Sequence, residues 1–264
     1  MKRTLWIVLL TVVVFLSAVV LGITTVFRVD EVTLIPQIVS EDAEEETLEM
    51  HQLLEEAYVK RSAIKADASK AEEIVDRFPY FRLTKFEVAY PNRIEISVVE
   101  EIEFYAVPIE DSDAYYVLGN DGVVLGIRDS YLNRLDGAEN VLLCGLEVVG
   151  QKGGFLEGDE CVTPVIEFCQ YANQALEGIR RNVVFVEVLR GTSKAEDTVL
   201  KVTMKEGIKL YIRNPFVLLS EKTSSVIEKY FSLTPEQRLT GRIAVSDQEG
   251  SLILGYASED EFDR

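Results

Sequence analysis

Few residues in this sequence are of the types that perform acid–base, nucleophilic or metal chemistry. The 264-residue chain has a single histidine, His51, between Met50 and Gln52 in an acid-rich segment. A nucleophilic serine or cysteine needs a base beside it, and a histidine-rich zinc site needs a second histidine. No GxSxG, HExxH, GxxxxGKS/T or GxGxxG motif occurs in the chain. We therefore interpret His51 as a surface or packing residue and expect no enzymatic activity, metal or cofactor.

Carboxylates are abundant, with 45 Asp and Glu against 27 Lys and Arg. The acidic run at 41–46 could suggest calcium, but calcium loops interleave carboxylates with turn residues and a glycine. Because this run leads straight into a helical pattern, we interpret it as a solvated helix face. A carboxylate pair for glycoside hydrolysis stays open, since so many acids always offer some pair. The net charge of −18 opposes binding to nucleic acid.

The three cysteines, Cys144, Cys161 and Cys169, are too few and too uneven in number for a disulfide framework. Cys161 and Cys169 fall in one predicted helix, about 12 Å apart along its axis. A disulfide spans only about 4.4–6.8 Å between Cα atoms. We expect three small buried core residues and no structural disulfide.

An uncharged segment at 5–27 predicts a transmembrane helix, because it would extend roughly 35 Å as a helix. Lys2 and Arg3 precede it, which predicts a cytoplasmic tail at 1–4 and a single-pass protein with its bulk outside. A cleaved signal peptide is the competing interpretation. The residues taken as the membrane anchor are Leu5, Trp6, Val13, Phe15, Leu21 and Phe27.

The region 28–107 predicts a β-α-α-β-β domain. A strand pattern begins at Phe27 and stops at Pro36, and two helical stripes of apolar residues follow it. Alternating residues from Lys85 to Val98, interrupted by a turn at Pro91, then predict an antiparallel hairpin. One apolar sheet face and two apolar helix stripes predict a two-layer α+β domain.

The region 108–258 predicts a strand-rich domain with about two helices packed on an antiparallel or mixed sheet. Its hairpins have turns at Asp121-Gly122, Glu206-Gly207 and Glu249-Gly250, and an acidic tail follows at 259–264. The complete fold class predicted is therefore α+β, with one N-terminal transmembrane helix, the β-α-α-β-β domain and this strand-rich domain.

The last predicted strand, "SLILGY", is unusually apolar on both faces, with Leu252, Ile253, Leu254 and Tyr256. Natural edge strands usually carry charges or proline, which prevent unwanted pairing. The strand is therefore either paired inside the sheet or left open for another chain to add a strand. The residues alone leave both alternatives open.

Four stretches resemble the FtsQ/DivIB family of bacterial cell-division proteins. They are "FPYFRLTKFEVAYPNRIEISVVEEIEFYAV", "YYVLGNDGVVL", "VLLCGLEV" and "IKLYIRNPFVLLSEKTSSVIEKYF". In the first stretch the best matches to the family signature are Pro79, Val88, Pro91, Ile94, Ile96, Val98 and Ala106. The family's Glu-Arg after the third strand reads Glu100-Glu101 here. The resemblance covers nearly the whole chain and likens its first module to a POTRA domain.

The resemblance implies a membrane-anchored, non-enzymatic scaffold of the divisome at the septum. It also implies FtsB/DivIC-type and FtsL-type coiled-coil partners near the septal peptidoglycan synthase. The family's terminal strand accepts a partner segment, which maps the partner-binding residues to Gly250, Ser251, Leu252, Ile253, Leu254, Gly255 and Tyr256. Another POTRA-bearing assembly or secretion factor is the first alternative, and an exported wall-polymer hydrolase is the second.

Overall fold

The computed structural model describes residues 2–191, 197–248 and 250–258. The chain divides into two compact units, Met1–Glu101 and Ile102–Arg264. Within the described residues it is an α+β protein with seven α-helices and two sheets. The acidic tail predicted at 259–264 lies outside the described residues.

The first helix, α1, covers Lys2–Val26. Among the described residues, no helix has the length and apolarity that crossing a membrane requires. On this finding the transmembrane helix predicted at 5–27, and the single-pass localisation built on it, are wrong.

After α1, unit 1 contains a three-stranded sheet with two further α-helices. In chain order its elements are β1 Glu31–Gln37, α2 Asp42–Tyr58, a 3-10 turn Ala63–Lys65, α3 Ser69–Val75, β2 Phe81–Ala89 and β3 Arg93–Glu100. The strand order is β1-β3-β2, with β3 parallel to β1 and antiparallel to β2. Alternate residues of β3, namely Ile94, Ile96 and Val98, point into the core of unit 1 and are fully buried. Met50 and Leu54 of α2 are fully buried as well.

Unit 2 is built on a nine-stranded mixed sheet. Its strands are β4 Tyr105–Pro108, β5 Tyr115–Leu118, β6 Val124–Arg128, β7 Val141–Cys144, β8 Val183–Leu189, β9 Val199–Met204, β10 Lys209–Arg213, β11 Arg242–Gln248 and β12 Ser251–Ala257. Its helices are α4 Val162–Ala175, α5 Ile179–Asn182, α6 Leu219–Ser232 and α7 Pro235–Leu239. The strand order is β12-β11-β10-β9-β8-β7-β4-β5-β6.

The core of unit 2 lies between one face of this sheet and the helices. Leu210 and Ile212 of β10 pack there, in the same hydrophobic cluster as Phe168 of α4 and Val226 of α6. Tyr211, between the two β10 core residues, is only partly buried. Since alternate residues point to opposite faces, the sheet has one face in the core and one open face.

Candidate functional site

The strand β12 lies at one end of the nine-stranded sheet and has a single neighbour, β11. Seven antiparallel pairs join the two strands without a register shift, from Gln248↔Ser251 to Arg242↔Ala257. The predicted partner-binding residues at 251–256 all lie on β12, and Gly250 precedes it with a left-handed φ of 80°. The structure therefore brings this predicted set together on one edge strand.

The pairing pattern fixes which backbone groups of β12 point away from the sheet. Hydrogen-bonded and non-hydrogen-bonded pairs alternate in an antiparallel ladder, and the pair beside a two-residue connection is hydrogen-bonded. Gln248↔Ser251 is that pair, so Leu252, Leu254 and Tyr256 occupy the non-hydrogen-bonded positions. Their N–H and C=O groups point outward along the edge. This gives three donors and three acceptors in register for an added strand.

The side chains of β12 are apolar and partly exposed. Ile253 is 50% exposed and Leu254 is 39% exposed. Tyr256 is partly buried and packs against the hydrophobic core of unit 2. The strand has no charged residue and no proline. It therefore lacks the sequence features that usually protect an edge strand from pairing.

The edges of the sheet in unit 1 are protected. The edge strand β2 has exposed charges at Arg82, Lys85 and Glu87, and its register shifts between Leu83 and Lys85. Charges and a bulge both disfavour pairing with another strand. The other edge strand, β1, contains Pro36, which has no N–H to donate.

The opposite edge of the large sheet is partly covered by the chain itself. At β6, the N–H of Val124 donates to the carbonyl of Gly154 at 2.8 Å, and the N–H of Gly153 donates to the carbonyl of Val124 at 2.8 Å. A β-bridge also joins Val123 to Phe155. Among the described edges, β12 is therefore the one without charge, proline, bulge or covering segment.

A groove of about 350 Å³ runs over the open sheet face beside β12. Ala244 and Gly255 line its floor, because these small residues do not fill the space above the sheet. A side chain at Gly255 would meet no atom within 4 Å, so there is free space above this part of β12. The groove is lined mainly by Tyr211, Arg213, Arg242, Ala244, Gly255 and Ala257. It is an apolar trough with two guanidinium groups beside it.

A buried lysine lies close to the start of β12. Lys222 of α6 is 0% exposed and donates to the carbonyls of Arg213 at 2.9 Å and Asn214 at 2.8 Å. It also forms an ion pair with Asp247 of β11. The hydrogen bond that Lys222 donates to Asp247 lowers the pKa of this carboxyl below its ordinary value. Sequence reasoning matched this helix to the family pattern but attached no role to the lysine.

Other side chains that could do chemistry make contacts that stabilise the fold. His51 Nε2 lies 3.0 Å from the carbonyl of Val32, so the ring joins α2 to β1. Glu103 is 1% exposed and accepts two 3.1 Å hydrogen bonds from Arg128. No group of three or more His, Cys, Asp or Glu residues within the described chain is arranged to hold a metal ion.

The three cysteines are free, and Cys161 and Cys169 are buried. Burial raises the pKa of Cys161 to about 11 and raises the pKa of Cys169 further. Burial also raises the pKa of the Cys144 thiol. The thiolate is the nucleophilic form, so burial disfavours nucleophilic reactions of these cysteines. Cys144 is only partly buried, unlike the buried core residue that the sequence predicted.

The residues predicted as a membrane anchor lie on or directly after α1. Trp6, Val13, Phe15 and Leu21 are exposed on this helix, with exposed fractions from 53% to 70%. The backbone of Leu5 belongs to α1, and its side chain lies outside the described residues. Phe27 follows the helix and makes an edge contact with Tyr90 of unit 1, with ring centroids 6.0 Å apart.

Replacing Asp159 with alanine should lower the free energy of unfolding by about 2–3 kcal/mol, because buried donors lose their acceptor. The Asp159 side chain, 1% exposed, accepts from the N–H of Glu147 and of Cys161, each at 2.9 Å, and pairs with Arg190. Denaturant unfolding measures the loss. Asp136→Ala is the control, because that side chain is 49% exposed and its ion pair with Arg180 contributes about 0–1 kcal/mol. Equal losses in the two variants would contradict the prediction.

The Asp159 contribution should also depend on pH. Burial by itself raises the pKa of Asp159, but the two backbone hydrogen bonds and Arg190 outweigh burial and lower it. A lowered folded-state pKa means that the contribution is present above the unfolded value of about 3.9 and is lost as pH falls below it. The stability difference between wild type and Asp159→Ala should therefore shrink in acid. A constant difference from pH 6 to pH 3 would contradict the assignment.

No protein-family model matches the sequence. No curated protein matches it either.

Proposed function

We propose that this protein is a non-enzymatic scaffold of the bacterial division machinery. It binds FtsB/DivIC-type and FtsL-type coiled-coil partners by accepting a partner strand along β12. The observation that carries the proposal is the bare edge: Leu252, Leu254 and Tyr256 direct backbone groups outward from a strand with no protective feature. The resemblance to the FtsQ/DivIB family supports the choice of partner.

Strand addition would supply both hydrogen bonds and apolar contact. Each main-chain hydrogen bond contributes about 0.5–1.5 kcal/mol net. Association costs about 4–15 kcal/mol in lost freedom, so the bonds alone do not give a tight complex. Ile253 and Leu254 are 50% and 39% exposed, and burying them adds up to about 1–2 kcal/mol each. The affinity therefore depends on both the backbone groups and these side chains.

The groove beside β12 would select the partner segment. Side chains of an added strand on the open face would lie next to Gly255 and above the trough. Arg213 and Arg242 favour an acidic partner side chain there, although the chain as a whole has a net charge of −18. A basic partner segment would meet the two guanidinium groups and bind poorly.

The proposal is tested by co-purification of the full chain with the FtsB/DivIC-type and FtsL-type proteins of the same organism. We expect a stable complex in which hydrogen exchange slows at the outward amides of Leu252, Leu254 and Tyr256. The amides of β2, a protected edge, serve as the internal control and should not change. No complex with either protein, or protection confined to other strands, would overturn the proposal.

A further inference from the structure

The end of the β11–β12 hairpin extends past the rest of the sheet. The parallel pairing of β10 with β11 runs from Lys209↔Arg242 to Ile212↔Val245. Residues 246–248 of β11 continue beyond that last pair and lie opposite residues 251–253 of β12. We call these two segments, 246–248 and 251–253, the hairpin tip.

A two-stranded hairpin without further support is marginally stable in water. The tip has no β10 neighbour, so its order depends on side-chain contacts with the rest of unit 2. Three of the seven residues of β12, the strand proposed to dock a partner, belong to the tip. The contacts that keep the tip ordered therefore determine how many residues of β12 are held in an extended conformation that a partner strand can pair with.

An ion pair between Lys222 of α6 and Asp247 links the tip to the rest of unit 2. The Lys222 ammonium bonds the carbonyls of Arg213 and Asn214, at the end of β10, and the carboxylate of Asp247 in the tip. Three donors thus meet three acceptors in a site that is fully buried at the lysine. A buried ammonium with all its donors satisfied has one preferred position, so it fixes Asp247 relative to β10 and α6.

We infer that Lys222 is a positioning residue for the docking strand, acting through Asp247 to hold the overhanging hairpin tip in the sheet. The inference rests on the proposed function for its consequence in partner binding. Its structural part stands on the register of β10, β11 and β12 together with the hydrogen bonds of Lys222. Asp247 faces Leu252 across the ladder, so a displacement of Asp247 moves the first outward-pointing residue of β12.

The two ends of this contact have separable roles. Lys222 keeps its two carbonyl acceptors when Asp247 is removed, so the turn after β10 stays supported. The Asp247 side chain is 21% exposed, so its replacement leaves no large cavity. Substitution of Asp247 therefore tests the contact between Lys222 and the tip, which we call the brace, without removing the buried lysine.

Hydrogen exchange of the full-length protein tests the structural part. In Asp247→Ala, the amides of Ser246 and Ile253 should exchange at least tenfold faster, while amides in β9 and β10 change much less. The thermal midpoint should fall as well, because the buried Lys222 ammonium loses its counter-ion. Asp247→Glu, which keeps a carboxylate, should restore most of the protection. Glu221→Ala removes an exposed carboxylate beside Lys222 and should change nothing at the tip.

Two outcomes would overturn the inference. One is unchanged protection of Ser246 and Ile253 in Asp247→Ala. The other is a loss of protection that spreads equally over β9 and β10, since the contact would then stabilise the whole unit and not the tip.

Binding tests the functional part with the same variants. Asp247→Ala should bind the FtsB/DivIC-type protein about tenfold more weakly, and Asp247→Glu should recover most of the affinity. If wild type binds no such partner while the exchange results hold, the proposed function fails and the brace stands. If the tip loosens and the affinity stays unchanged, the positioning role is overturned.

Discussion

Replacing Leu254 with proline should abolish binding of the FtsB/DivIC-type partner, with at least a hundredfold loss of affinity. Leu254 occupies a non-hydrogen-bonded position opposite Val245, so its N–H points toward the open edge and not toward β11. Proline removes that donor and places its ring where a partner strand would pair. An edge strand tolerates proline at such a position because no ladder bond is lost. Titration of the full-length protein with the partner measures the effect.

The matched control is Leu254→Ala, which removes the same side chain and keeps the N–H. Leu254 is 39% exposed, so this control should weaken binding only by the lost apolar contact, roughly tenfold or less. Both variants should retain the circular dichroism spectrum of the wild type. Full binding by the folded proline variant would rule out strand addition at β12. Equal losses in the two variants would assign the affinity to the side chain and not to the backbone.

Replacing Gly145 with alanine should destabilise unit 2 by about 3 kcal/mol or more. Gly145 has a φ of +75°, and a left-handed conformation costs a non-glycine residue about 1–2 kcal/mol. An added Cβ would also lie 2.5 Å from the carbonyl oxygen of Val188 on β8. Because that atom is backbone within the sheet, the strand itself must move, which adds about 1–3 kcal/mol. Denaturant unfolding followed by circular dichroism measures the loss.

Gly137 separates the two contributions. Its φ is +64°, close to that of Gly145, but an added Cβ would have no atom within 4 Å. Gly137→Ala should therefore cost only the conformational part, about 1–2 kcal/mol. If the two alanine variants lose the same stability, the close contact with Val188 makes no difference and the argument from packing is wrong.

The periodicity of the sequence accounts for many of the elements. Alternation between Lys85 and Val98 indicated the hairpin of β2 and β3, because a strand with one buried face must alternate. The run from Ser251 to Tyr256 was recognisable as a strand, although its apolar residues face both ways. These features are local, so a single stretch of chain is enough to reveal them.

The predicted transmembrane helix shows where a one-dimensional pattern failed against the structure. The absence of charge over 5–27 led to that prediction, but no helix among the described residues is long and apolar enough to cross a membrane. Lys222 shows a different limit. A lysine in a helix is usually exposed, and only the convergence of Arg213, Asn214 and Asp247 around its ammonium explains why this one is buried.

Local sequence patterns were enough to predict most of the longer strands and helices, although the described part of unit 2 has four helices where about two were predicted. They also showed cysteines too sparse for a disulfide framework and none of the catalytic motifs considered. Only the three-dimensional fold shows that β12 is an edge strand, that an added Cβ at Gly145 would meet the carbonyl of Val188, and that Lys222 pairs with Asp247. The physical reason is that strand and helix patterns arise between residues a few positions apart. An edge or a close approach depends on which distant strands become neighbours, as β10 and β11 do here although two helices separate them in sequence.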